Sequence, residues 1–168
     1  MLNRAKTIAG LAIVIIQLNW SFALACTGPI YSIEHYLGTA ELIFEGTIDS
    51  VSVLDPEQPF GEKAINLTVK RWWKGGSSQK VTVYSDGSSC GFRGQLKQQW
   101  LILAVDPAHP KTDLLTGNVL LILEDGRTVA KLPAQLSKRF GAGSKPANGA
   151  AQPAAAPDPT PPSATRGR

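Results

Sequence analysis

Apolar and polar residues alternate in several short segments in the middle of the chain. Such alternation indicates strands with one buried face, and it predicts strands over Leu42–Val53, Ala64–Trp72 and Lys80–Ser85. The run Gln99–Val105 is apolar enough to form a central strand. Gly46 interrupts the first strand and indicates a bend or bulge at that point.

A second strand pair is predicted further along the chain. Asp125 and Gly126 form a dipeptide that favours a tight turn, here between strands over Val119–Glu124 and Arg127–Leu132. The chain would then hold five or six short strands with turn signals between them. That pattern is typical of a small barrel or sandwich.

Two short helices are expected beside the strands. Ser32 can cap a helix that runs to about Ala40, and Glu34 in its first turn suits the helix dipole. A closing helix over Pro133–Phe140 would have proline in its first turn. Because both helices are short, the fold class is expected to be all-β.

Trp72 and Trp73 end the second predicted strand. Neighbouring residues of a strand point to opposite faces, so we expect one ring in the core and the other exposed. The alternative is that the pair forms a platform on which a ligand stacks.

The first 25 residues have the order of a secretory signal peptide. Arg4 and Lys6 precede the apolar run Ile8–Leu18, and a small-residue cleavage site ends at Ala25. The run is shorter than the roughly 20 residues that a membrane-spanning helix needs. We expect cleavage before Cys26, a secreted or periplasmic protein, and no membrane span afterwards. An uncleaved anchor and a lipid-modified Cys26 are the alternatives.

Composition divides the rest of the chain into a domain over 26–140 and a tail over 141–168. The tail holds six prolines, eight alanines and no large apolar residue, so it is expected to be disordered, as a spacer or a dispensable end. Residues 26–135 carry ten basic and twelve acidic residues, so the net charge of +4 comes from the two ends. This balance does not favour a nucleic-acid-binding surface. We interpret the basic tail as a solvated end, with weak contact to anionic envelope polymers as the alternative.

Cys26 and Cys90 are the two cysteines of the chain. An even number in an exported protein favours a disulfide. His35 and His109 are the two histidines, and neither belongs to a metal-binding or nucleophile motif. We therefore expect no metal, no cofactor, no catalytic residue and no enzymatic activity.

Four sequence features between Cys26 and Gly91 occur in the same order as in one known protein family. Cys26 and Thr27 come directly after the cleavage site, and a helix leads into a strand with the sequence FEGTI at 44–48. The next strand ends in VKRWWKG at 69–75, and SSCG follows at 88–91. With these features, residues 26–106 resemble the netrin-like domain, which is the fold of the tissue inhibitors of metalloproteinases and of small bacterial exported proteins.

The resemblance implies an OB-like five-stranded barrel with Cys26 bonded to Cys90. In the metalloproteinase inhibitors, the amino-terminal cysteine chelates the catalytic zinc of the protease, and the next residue enters the specificity pocket. Carried over, these roles fall on Cys26 and Thr27, with Ser89 and Gly91 as further candidate contacts. This chain has Gly28 where the inhibitors have a second cysteine, and it lacks their other disulfides.

The expected function is that of a monomeric, non-catalytic protein-binding module of the cell envelope or extracellular space. Inhibition of a zinc metalloprotease through the mature amino-terminal residues Cys26 and Thr27 is the alternative.

Overall fold

The computed structural model describes Cys26, residues 28–29, residues 31–58 and residues 60–147. The predicted signal peptide and the tail beyond residue 147 lie outside these residues. In chain order the elements are α1 (Ile33–Thr39), β1 (Leu42–Val53), β2 (Lys63–Lys74), β3 (Lys80–Ser85), β4 (Gln99–Ala104), β5 (Val119–Ile122) and α2 (Ala134–Phe140). Within the described part, no helix has the length and apolarity to cross a membrane.

The five strands form one antiparallel sheet in the order β3-β2-β1-β4-β5. This confirms the predicted all-β class with two short helices. Strand β3 buries alternate residues, whereas β4 is buried along nearly its whole length. Ser32 caps α1 by accepting a hydrogen bond from the His35 N–H. Hydrogen bonds from its own backbone and from Ser32 lower the pKa of Glu34 in the first turn.

Strand β1 is central, and it bends. It pairs with β2 along nearly its whole length, but β4 covers only its first part, Leu42–Thr47. The β1–β2 register shifts at three points, one of them between Glu45 and Gly46, as the sequence predicts. The far part of β1, from Asp49 to Val53, therefore extends beyond β4 together with β2.

A short segment after β4 closes one end of the sheet. The Tyr84 N–H donates to the Pro110 carbonyl at 2.7 Å, and the Thr112 N–H donates to the Tyr84 carbonyl at 2.9 Å. Lys111 and Val105 exchange two further backbone hydrogen bonds at 3.0 Å each. Because this segment joins β3 to the end of β4, the sheet becomes a partly closed barrel.

The two faces of the sheet bury separate apolar clusters. Trp72 lies in the interior cluster at 3% exposure, and its ring centroid is 4.8 Å from that of Phe44. Trp73 points to the opposite face, as alternation predicts, but it is half-buried there because it packs against the outer cluster around Leu136 and Phe140. The outer cluster holds the two helices against β1, β4 and β5.

The prediction of a strand over Arg127–Leu132 is wrong. The turn forms, since the Leu123 N–H donates to the Arg127 carbonyl at 2.9 Å, but the ladder then has one bridge, between Ile122 and Thr128. Val129 is 52% exposed. Leu132 packs against the outer cluster, but Val129 is left in solvent, so the segment does not bury one regular face as a strand would.

The first residues of the predicted tail pair with the sheet. Trp72 and Ser144 exchange backbone hydrogen bonds at 2.8 and 2.7 Å, and the Ala147 N–H donates to the Ser77 carbonyl at 2.7 Å. These bonds cover the edge of β2 beyond the point where β3 ends. The folded part of the chain therefore continues past Phe140 to at least Ala147. Covering an open edge in this way removes a template for unwanted pairing.

Replacing Gly143 with alanine is expected to release this pairing. Gly143 has φ +74°, and an added Cβ would lie 2.7 Å from the Trp72 carbonyl oxygen. We expect faster hydrogen exchange at the Trp72 and Ser144 amides and a loss of about 1 kcal/mol in unfolding free energy. Gly141→Ala is the matched control, because Gly141 has the same φ but open space around it. Equal exchange rates in the two variants would contradict the docking.

Candidate functional site: the disulfide end of the barrel

The predicted disulfide forms between Cys26 and Cys90, with their Cα atoms 5.0 Å apart. It ties the amino-terminal segment to the loop between β3 and β4. Thr27, which the resemblance places in a specificity pocket, lies outside the described residues. The two cysteines are 64 positions apart in the sequence, so the disulfide links two distant parts of the chain.

The loop over residues 86–94 is held by its own side chains. The Asp86 carboxylate accepts a hydrogen bond from the Ser88 N–H at 2.8 Å and another from the Ser88 hydroxyl. The Ser88 oxygen in turn accepts the Cys90 N–H at 3.1 Å. Asp and Ser favour such local turns because their side chains replace backbone partners. Phe92 then enters the core and donates its N–H to the Ser85 hydroxyl at 2.7 Å.

Ser89 and Gly91 lie on opposite sides of this loop. Ser89 is exposed, and its carbonyl accepts a hydrogen bond from Arg93 at 3.1 Å. Gly91 is buried, and an added Cβ would lie 1.9 Å from the Asp86 carbonyl oxygen. Glycine at position 91 therefore permits a close backbone approach. A contact of either residue with a protease stays a prediction.

A second loop, over residues 112–118, supports the disulfide. The Leu114 N–H donates to the Cys90 carbonyl at 2.8 Å. Gly28 lies against Leu115, whose Cδ1 would be 2.4 Å from a Cβ at position 28. The position that holds a second cysteine in the metalloproteinase inhibitors is thus packed against an apolar side chain.

Asn118 fastens this second loop to β4. Its side-chain oxygen accepts the Leu103 N–H at 2.8 Å, and its amide nitrogen donates to the Thr112 hydroxyl at 2.7 Å and to the Asp113 carbonyl at 2.9 Å. The Thr116 hydroxyl joins the same network at 2.9 Å from that of Thr112. A network in which each polar group is bonded makes a rigid base for the disulfide end.

A cavity of about 460 Å³ lies between the far parts of β1 and β2 and the loop over residues 86–94. We call it the hairpin pocket. Apolar and polar side chains line it together, with the two cations Lys63 and Arg93 and no carboxylate. Its lining includes Val51, Lys63, Ile65, Ser88, Ser89 and Arg93.

Exposed apolar residues lie beside the hairpin pocket at the turn between β1 and β2. Val51, Val53, Leu54 and Phe60 are 41, 48, 53 and 68% exposed. We call these four residues the hairpin tip. Exposed apolar side chains clustered at one turn of the chain make it a candidate interaction site.

The two histidines lie apart. His35 is in α1, as predicted, and stacks on Tyr31 with ring centroids 4.2 Å apart. His109 stacks on Tyr84 at 3.9 Å, and its Nε2 is 3.3 Å from the Glu62 carboxylate. Among the described residues, no group of three or more His, Cys, Asp or Glu side chains is placed to hold a metal ion.

Sequence reasoning identified the loop around Cys90 but missed the cations of the hairpin pocket. Lys63 and Arg93 stand thirty residues apart in the sequence, and no motif joins them. Only the β1–β2 register and the disulfide-linked loop bring them to one cavity. Val51 and Val53 belong to the alternating pattern that predicts the first strand, so their exposure could not be expected from the sequence.

Comparison with known proteins adds no assignment at this point. No protein-family model matches the chain, and no curated protein matches it at a significant level.

Proposed function

We propose that this chain is an exported, non-catalytic protein-binding module that contacts its partner through the disulfide end of the barrel. The observation that carries the proposal is the hairpin tip, where Val51, Val53, Leu54 and Phe60 expose apolar surface beside a cavity. Exposing such side chains to water is unfavourable, and a protein partner would cover them.

The surroundings of the tip support a binding role. The loop that forms the other wall of the pocket is held by the disulfide and by the Asp86–Ser88 hydrogen bonds. Rigid surfaces lose little conformational entropy on association, which favours affinity. The disulfide itself is typical of proteins that fold in oxidising compartments, in keeping with the predicted export.

The side-chain chemistry of the described residues favours binding over catalysis. A nucleophile needs a base within hydrogen-bond reach. The hydrogen-bonded side-chain partner of the His109 ring is the Glu62 carboxylate, and His35 packs against tyrosine rings. The two histidines thus contact a carboxylate and aromatic rings.

Site-specific photo-crosslinking in the producing cell tests the proposal. A benzophenone amino acid at Phe60 is expected to give a defined adduct with another protein. The matched control is the same group at Val129, which is similarly exposed but belongs to the loop before α2. Adducts that form equally at both positions, or at neither, would reject the hairpin tip as a binding surface.

Metalloprotease inhibition is the second candidate function, and the observation that favours it is the Cys26–Cys90 bond. This bond would hold an amino-terminal Cys26 in place, as chelation of a zinc ion requires. A catalytic zinc keeps an open coordination position, and an α-amino group with a pKa near 8 loses its proton at modest cost.

The second candidate is tested on a panel of zinc metalloproteases. Protein beginning at Cys26 is expected to inhibit at least one of them, and acetylation of its α-amino group is expected to abolish that inhibition. Inhibition that survives acetylation, or no inhibition by the free amino terminus, would exclude the chelation mechanism.

A further inference from the structure

The far part of β1 has one backbone edge that no strand covers within the described residues. The Leu54 N–H donates to the Glu62 carbonyl at 2.8 Å and so faces β2. Backbone groups alternate in direction along a strand, so those of Val51 and Val53 face the other side. On that side, pairing with β4 ends at Thr47.

The Val51–Leu54 segment itself lacks two of the usual protections against strand addition, a charge and a proline. Natural edges are shielded by prolines, charges or a covering segment. The segment from Val51 to Leu54 has three exposed apolar residues and one serine, with no charge and no proline. The bulge before Ser50 bends the strand, but β1 pairs regularly with β2 from Ser50 to Val53.

The charged side chains that line the hairpin pocket are both positive. Lys63 is paired with Val53 in the β1–β2 register, and Arg93 lies across the hairpin pocket. The guanidinium of Arg93 has five N–H donors, and one of its nitrogens donates to the Ser89 carbonyl.

Asp55 and Glu57 lie in the turn that follows the edge, where the Asp55 carboxylate accepts the Glu57 N–H at 3.3 Å, and neither lines the hairpin pocket. Three other nearby acids have partners of their own. Asp86 accepts hydrogen bonds from Ser88, and Glu62 lies 3.3 Å from His109. Asp49 is bonded to Lys80 at 2.7 Å. Although burial raises its pKa, the hydrogen bonds from Lys80 and Thr68 and the Lys80 charge outweigh that effect and lower the pKa of Asp49 overall.

We propose that an extended segment of an acidic partner protein adds as a strand to the Val51–Val53 edge of β1. An acidic side chain of that segment enters the hairpin pocket and binds Lys63 and Arg93. In strand addition the backbone hydrogen bonds supply affinity, and pockets for alternate side chains supply specificity. The proposal rests on the proposed function and adds the chemistry of the partner and its mode of binding.

Selection from a random peptide library against the full exported chain, with its disulfide intact, tests the proposal. The selected peptides are expected to alternate apolar and polar residues and to contain Asp or Glu. Val53→Pro removes the edge N–H without touching the bond from Leu54 to Glu62, and it should weaken binding by roughly tenfold or more.

Charge reversal provides a second set of variants that leave the backbone unchanged. Lys63→Glu and Arg93→Glu should each weaken binding by roughly tenfold or more, because like charges then face the acidic side chain. Lys131→Glu is the matched control, since Lys131 is exposed and lies outside the pocket, and it should leave affinity unchanged. Retention of the disulfide and of the thermal transition verifies folding in each variant.

The failures of the two proposals are distinguishable. Strand addition would be overturned by selected peptides without acidic residues, or by peptides that bind Val53→Pro, Lys63→Glu and Arg93→Glu as well as the wild type. Either result would still be compatible with the proposed protein-binding function. Pairing of two copies of the chain through this edge, seen as a dimer that Val53→Pro dissolves, would also overturn it. An empty selection together with no adduct at Phe60 would overturn both proposals.

Discussion

Replacing Cys90 with serine is expected to lower the unfolding free energy by about 4 kcal/mol. The bond closes a loop between residues 64 positions apart, and its loss returns that conformational freedom to the unfolded chain. Small domains are stable by only about 5–15 kcal/mol, so the variant should be close to unfolding at physiological temperature. Denaturant titration followed by tryptophan fluorescence measures the change.

Reduced wild-type protein is the internal control for this substitution. It should match Cys90→Ser, whereas reductant should have no effect on the variant itself. A loss of less than about 1 kcal/mol would show that the Leu114–Cys90 hydrogen bond and the Asn118 network hold this end without the bond.

Truncating Trp72 to alanine is expected to cost about 3–5 kcal/mol in unfolding free energy. The ring is buried against Phe44, and its indole N–H donates to the Ser78 carbonyl at 2.8 Å. The substitution would leave both a cavity and an unpaired carbonyl. It would also disturb the backbone pair between Trp72 and Ser144.

Trp73→Ala is the matched comparison, because Trp73 is half-buried and lies on the other face of the sheet. It should cost clearly less than Trp72→Ala in the same denaturant titration. Equal costs, or a larger cost for Trp73, would contradict the assignment of Trp72 to the interior. A ligand-stacking pair requires two accessible rings, and a large cost for Trp72 would exclude that alternative.

Strand β3 was predictable because its burial follows from alternation, whereas the first part of β1 and most of β4 are buried on both faces. The predicted Lys80–Ser85 has the bounds of β3, and its residues Val81 and Val83 are buried as the pattern indicates. The segment 127–132 was also predicted as a strand, but only its Leu132 packs against the outer cluster, and Val129 stays exposed. Whether an alternating segment becomes a strand therefore depended on a neighbour that the local sequence does not specify.

Two further features, the docking of the first tail residues and the cations of the hairpin pocket, could not be predicted from the sequence. Ser144 docks by backbone hydrogen bonds, and the residues around it contain no large apolar side chain, so hydrophobic patterning cannot detect the pairing. The disulfide was predictable from the number of cysteines. The approach of Lys63 to Arg93 was not, because it depends on strand register and on a long-range covalent link.

The docking of Ser144 beside Trp72 also determines where the chain leaves the barrel. Lys63 and Trp72 are nine residues apart on β2, a distance of up to about 30 Å along a strand. The carboxyl-terminal segment therefore departs from the end of β2 opposite the hairpin tip. A fluorescent protein or affinity tag fused directly after Ala147 would be attached at that far end, away from the hairpin tip, in immobilised binding assays.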